Sequence, residues 1–98
     1  MAQSIGRTNQ LRPGGMARME VAGRIICLAN VGGQYYAFSD ICPHFGCRLS
    51  TGWLQDTVVT CPCHGAEFDV TTGTLITGPG DMPLRTYPIS VVGDELQI

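Results

Sequence analysis

Two short segments carry most of the residues able to do chemistry, Cys42-Pro43-His44-Phe45-Gly46-Cys47 and Cys61-Pro62-Cys63-His64-Gly65. Four of the five cysteines and both histidines fall between Cys42 and His64. Each segment supplies a thiol and an imidazole, so two facing loops would place two sulfurs and two nitrogens around one centre. Proline in each loop stiffens the backbone, which holds donors in place before metal arrives. Two cysteines with two histidines suit a single tetrahedral zinc, or a two-iron cluster with both thiolates on one iron and both imidazoles on the other. Zinc fingers pair cysteine with cysteine on a hairpin and histidine with histidine on a helix. Here each loop mixes the two types and no helix is apparent, which favours two irons. An odd cysteine count with interleaved histidines also points towards metal chemistry and away from a disulfide framework.

The elements that must position these loops are strands. The 98-residue chain is long enough for one domain with a single core. Hydrophobic residues make up 44% and charged residues 14%, and 13 glycines and 6 prolines punctuate the rest, a balance that suits a loop-rich β domain. Met16 to Val21 and Arg24 to Val31 read as strands around a turn at Ala22-Gly23, with Cys27 as a core residue. Gly32-Gly33 then sets a hairpin turn into a strand from Gln34 to Phe38. From Asp40 to about Pro83 the pattern breaks into loops, with only Thr57 to Thr60 and Glu67 to Val70 resembling strands. Leu84 to Val92 and Glu95 to Ile98 return to β-type sequence around Gly93-Asp94, as though re-entering the first sheet. The expectation is an all-β fold, a small antiparallel sandwich or barrel with an inserted, loop-built cluster-binding subdomain. The single domain 1–98 divides into a basal part, about 16–39 and 84–98, and a cluster-binding part, about 40–83.

C-x-H, sixteen residues and C-x-x-H together make a pattern that resembles the Rieske family at every ligand position. The likeness extends through Phe68-Asp69, Thr72-Gly73 and the Gly78 to Leu84 stretch, which is similar to the family's proline loop. The resemblance implies one Rieske-type [2Fe-2S] cluster, with Cys42 and Cys61 on one iron and His44 and His64 on the other through Nδ1. The imidazole edges would then face the surface as the electron exit. Neutral imidazoles in place of two thiolates lift the potential into the roughly −150 to +300 mV range of such centres. Cys47 and Cys63 match the pair that forms a loop-to-loop disulfide in cytochrome bc-type Rieske proteins. High-potential members carry a serine just after the His-Gly and a tyrosine two residues later, both donating hydrogen bonds to cluster sulfurs. This chain has Ala66 and Phe68, which implies a lower potential.

Pro79, Gly80 and Pro83 read equally as a cover for the cofactor or as a surface turn. Trp53, Tyr35, Tyr36 and Tyr87 read as core and sheet residues, and Asp40, Glu67 and Asp69 as loop-stabilising or solvated charges. A net charge of −2 with no basic run argues against nucleic acid. No leader-like start or long apolar run is present, so the chain is expected to lack a membrane span and to be cytoplasmic, with a trimmed membrane-anchored parent left open. The function the resemblance implies is a one-electron carrier, not itself an enzyme, between a reductase and an oxygenase or other oxidoreductase. The alternatives are a small subunit of a larger complex, similar to those of arsenite oxidase or nitrite reductase, and a redox-sensing or zinc-binding interaction module.

Overall fold

The structure, a computed structural model, describes residues 4–43, 46–78 and 82–98. Eleven strands alternate with turns, and no α-helix occurs among the described residues. β2 (Met16–Val21), β3 (Arg24–Val31) and β4 (Gln34–Ser39) form an antiparallel meander, to which β9 (Thr86–Tyr87) adds beside β4. Both hairpins are tight because their central residues accept left-handed backbone: Ala22 and Gly23 have φ of 52° and 79°, Gly32 and Gly33 of 59° and 95°. Such turns match the right-handed twist of the strands they join.

β3 is the wall between two cores, which explains its unbroken apolar run. Cys27 and Ala29, with Phe38 across the register, face one buried cluster. Ile26, with Val21 and Ala37, faces another, completed by Ile5, Met19, Tyr87, Ile89 and Ile98. The second cluster is roofed by a three-stranded sheet in which β11 (Glu95–Gln97) pairs with β10 (Ser90–Val92) on one side and with β1 (Ser4–Arg7) on the other. The expected strand from Leu84 to Val92 is therefore two strands. Pro88, which has no N–H for a ladder, separates β9 in the meander from β10 in the terminal sheet. The chain re-enters the first sheet only through β9.

The expected loop-built segment holds more order than its sequence displays. β5 (Trp53–Gln55), β6 (Val58–Thr60), β7 (Glu67–Asp69) and β8 (Leu75–Thr77) make a four-stranded antiparallel sheet. Leu54, Val59, Phe68 and Leu75 lie in register across it and pack into the first core. The opposite face carries Trp53 beside Thr60 and Glu67, and Trp53 is 63% exposed, so it is a sheet residue but not a core residue. Tyr35, Tyr36 and Tyr87 are half-buried strand residues, as expected.

Candidate metal centre

Both cysteine loops are built on one hydrogen-bond frame. In the first, Cys42 N–H donates to the Cys47 carbonyl at 2.9 Å, and Gly46 N–H donates back to the Cys42 carbonyl at 3.0 Å. In the second, Cys61 N–H donates to the Ala66 carbonyl at 2.8 Å, and Gly65 N–H to the Cys61 carbonyl at 3.1 Å. Each frame thus spans a cysteine, a proline at the next position and a glycine four residues on. The glycines have φ of +70° and +74°, with open space where a Cβ would sit, so they are required by backbone conformation and not by crowding. Proline after each cysteine pre-sets the first step of the turn and removes an N–H that the frame does not use.

The cysteines that open the two frames, Cys42 and Cys61, are 1% and 0% exposed, carry no disulfide and belong to the same buried cluster as Cys27, Ala66 and Phe68. His64, at the corner of the second loop, is exposed. His44, the remaining expected ligand, lies outside the described residues, as does Phe45 beside it. Cys47 and Cys63 form a disulfide across the two loops, with Cα atoms 6.4 Å apart, as the resemblance implied. The sulfurs of Cys47, Cys61 and Cys63 all lie within 4.8 Å of one another. Two of the three are spent in the bridge, so this trio is a disulfide packed against Cys61 and not a second metal site.

Around the loops, Ala66 and Phe68 are both fully buried, and neither side chain can donate a hydrogen bond. Gly78 lies against Ala66: a Cβ added there would come within 2.5 Å of the Ala66 Cα. At the far end of the Pro- and Gly-rich stretch, Leu84 is buried and its N–H donates to the Gly73 carbonyl at 2.8 Å. The stretch is thus tied down on both sides of Pro79, Gly80 and Asp81, which lie outside the described residues, while Pro83 is exposed. Asp69 stabilises its own turn, accepting from the Thr71 N–H at 2.9 Å and the Thr71 hydroxyl at 2.6 Å. Asp40 does the same at the first loop through Ser50 and Arg18.

Cys27 is a core thiol on β3, outside both cysteine loops. Burial pushes its thiol up from the ordinary 9.0 to about 12, and the neighbouring Asp40 charge adds to the effect. It stays protonated at neutral pH.

Sequence reasoning did not pick out Arg18, Ser50 or the contact of Gly78 with Ala66. Glycine immediately before the Pro79-Gly80 pair was the only available sign of a close approach. Arg18 and Ser50 lie 22 and 10 residues from Asp40 and carry no motif.

Two buried thiols and an exposed imidazole, on matched rigid loops at the edge of a β core, are a donor set that fits a two-iron cluster with an outward-facing nitrogen side. The arrangement suits an iron–sulfur electron carrier, and comparison with known proteins identifies its kind. The family model of the Rieske [2Fe-2S] domain matches residues 1–88. The ferredoxin component of biphenyl 2,3-dioxygenase from Rhodococcus jostii (strain RHA1) is 40% identical over 94 residues, covering 96% of this chain and 88% of that one. The ferredoxin of carbazole 1,9a-dioxygenase from Nocardioides aromaticivorans IC177 superposes with a TM-score of 0.94 at 30% identity, over 98% and 94% of the two chains. A chain in a complex of reduced oxygenase and oxidized ferredoxin in carbazole 1,9a-dioxygenase superposes at 0.92 with 31% identity, over 98% and 90%. The chain belongs to the Rieske [2Fe-2S] family. It is an electron-transfer protein with a Rieske-type cluster as its cofactor. No helix among the described residues is long and apolar enough to cross a membrane.

Proposed function

We propose that the chain is the ferredoxin component of a dioxygenase-type system, taking single electrons from a reductase and delivering them to an oxygenase, and that Cys42, His44, Cys61 and His64 hold its cluster. When bound, a Rieske cluster supplies reversible uptake of one electron. The protein's own contribution is to bury Cys42 and Cys61, to leave the His64 edge towards solvent, and to lock the two loops together through Cys47 and Cys63. The observation that carries the reading is the shared hydrogen-bond frame, which presents a buried cysteine at the same position of each loop. Likeness to ferredoxin components over nearly the whole of both chains supports the role of carrier.

The same reading divides the single domain 1–98 into a basal part, about 16–39 and 84–98, and a cluster-binding part, about 40–83. Supporting this, β5 to β8 form a sheet of their own, while Cys27, Ala29 and Phe38 share one core with Cys42 and Cys61 and tie the parts into one folding unit. The cytoplasm is the compartment this role implies.

The test is a coulometric titration of the holoprotein, followed by mixing the reduced protein with the oxygenase component of a biphenyl-type dioxygenase. The expected result is one electron taken up per chain and rapid reoxidation by the oxygenase. No uptake, or reoxidation no faster than by air alone, would overturn the assignment.

A further inference from the structure

The two cysteine loops share an inner frame but are closed differently at their bases. The second loop sits between β6 and β7, whose ladder pairs Thr60 with Glu67 and continues through Val59 and Phe68 to Val58 and Asp69. Among the described residues, the first loop has only the isolated bridge between Ile41 and Arg48. Below that bridge a side chain replaces the ladder. Asp40 donates its N–H to the Ile25 carbonyl at 3.1 Å, and its own carbonyl accepts the Leu49 N–H at 2.8 Å. Its Oδ1 accepts the Ser50 N–H at 2.7 Å, and its Oδ2 accepts the Ser50 hydroxyl at 2.9 Å. One residue thereby ties the entry of the loop to its exit and both to β3.

Asp40 is also the one charged residue among those described that is fully buried, at 0% exposure. Its only ion-pair partner among them is Arg18 on β2, with Nε 3.5 Å from Oδ2 and a side chain 37% exposed. Arg18 stands opposite Cys27 in the β2 and β3 register, so the pair lies on the same stretch of sheet as the core that contains Cys42 and Cys61. A buried charge in a low-dielectric setting acts strongly on a neighbouring group that changes charge. A centre that gains an electron is opposed by a nearby carboxylate and helped by a nearby guanidinium.

We propose that Asp40 and Arg18 are positioning residues of the redox centre: Asp40 closes the base of the first cysteine loop, and the balance of charge between the pair sets the reduction potential. This rests on the reading that Cys42 and its partners hold the cluster.

The test is a double-mutant cycle on the holoprotein, Asp40→Asn, Arg18→Gln and the two together, read by protein-film voltammetry at one fixed neutral pH. Arg18→Gln leaves the buried carboxylate unbalanced and shifts the potential down. Asp40→Asn leaves the guanidinium unbalanced and shifts it up. The double variant returns close to the parent. A purely structural role would not produce opposite signs that cancel.

The loop-closing role is read separately, as the rate of cluster bleaching in the visible under a chelator. Ser50→Ala and Asp40→Asn are expected to bleach several-fold faster than the parent, and Arg18→Gln more slowly than either. Should Asp40→Asn fail to fold, the downward shift in Arg18→Gln, whose side chain is partly solvated, still decides the charge role. Unmoved or same-sign shifts in the single variants, with a normal parent spectrum, overturn this proposal and leave the ligand reading intact. A parent that never takes up the cluster overturns both.

Discussion

Replacing Gly78 by alanine is the most exacting test of the packing that holds the second cysteine loop. The residue has φ of +119°, outside the range that L side chains accept without strain. An added Cβ would stand 2.5 Å from the Ala66 Cα and 2.9 Å from its Cβ. Ordinary carbon contacts are about 3.5–4.0 Å, so about an ångström must be absorbed by backbone on one side or the other. The conformational part costs about 1–2 kcal/mol and the overpacking about 1–3 kcal/mol, for a total of about 2–5 kcal/mol. A mid-range loss of about 3.5 kcal/mol lowers Tm by roughly 14–28 °C in a domain of this size. Gly23→Ala is the control, because Gly23 has φ of +79° with nothing within 4 Å of an added Cβ. That variant loses only the conformational part, about 1–2 kcal/mol. Differential scanning calorimetry of the two holoproteins separates the contributions. Because the Ala66 carbonyl receives the Cys61 N–H, Gly78→Ala also bleaches faster under chelator than Gly23→Ala. A Gly78→Ala protein as stable as Gly23→Ala, with an unaltered bleaching rate, refutes the close packing and the role given to it.

Three further outcomes are expected. Cys47→Ser with Cys63→Ser opens a bridge with a sequence separation of 16 and costs about 3 kcal/mol by chain entropy, checked by chemical denaturation of the double variant against the parent. Ala66→Ser and Phe68→Tyr each add a donor at the second cysteine loop and are expected to raise the potential by on the order of 50 mV, and voltammetry showing no rise in either would contradict the reading. Cys27 holds its proton to about pH 12 in the native protein, whereas the unfolded chain releases it above about 9.0. Below pH 9.0 both states are protonated and stability is unaffected, while between 9.0 and 12 the native state loses up to about 1.4 kcal/mol per pH unit relative to Cys27→Ala, measured by urea denaturation across that window.

The meander and the ligand-bearing loops were legible because their signals are local. β2 and β3 are long enough for alternation or continuous apolar character to emerge, and Ala22-Gly23 and Gly32-Gly33 mark turns that need positive φ. β5 and β8 were not legible, since three residues are too few to establish a period and their pairing is decided by partners elsewhere in the chain. β1 precedes the first strand expected from the sequence, at Met16; its order comes from β11, some 90 residues away. Trp53 reads from the sequence as a core and sheet residue; the face it occupies follows from the register with Thr60, which only the folded sheet defines. At the site, cysteine and histidine spacing pointed through a family likeness to the proposed ligands and to the disulfide pair, of which the structure holds the bridge. The closure of the first loop by Asp40, Ser50 and Arg18 is tertiary, built from three separate segments, and leaves no pattern in the sequence.

The central claim is that two histidine nitrogens and two cysteine sulfurs hold the iron. Electron–nuclear double resonance on the reduced holoprotein, with histidine labelled by nitrogen-15, addresses it directly. Two strongly coupled histidine nitrogens are expected, one of which disappears in His64→Cys. A reduced cluster with no coupled histidine nitrogen, or an unchanged pair in His64→Cys, would contradict the account.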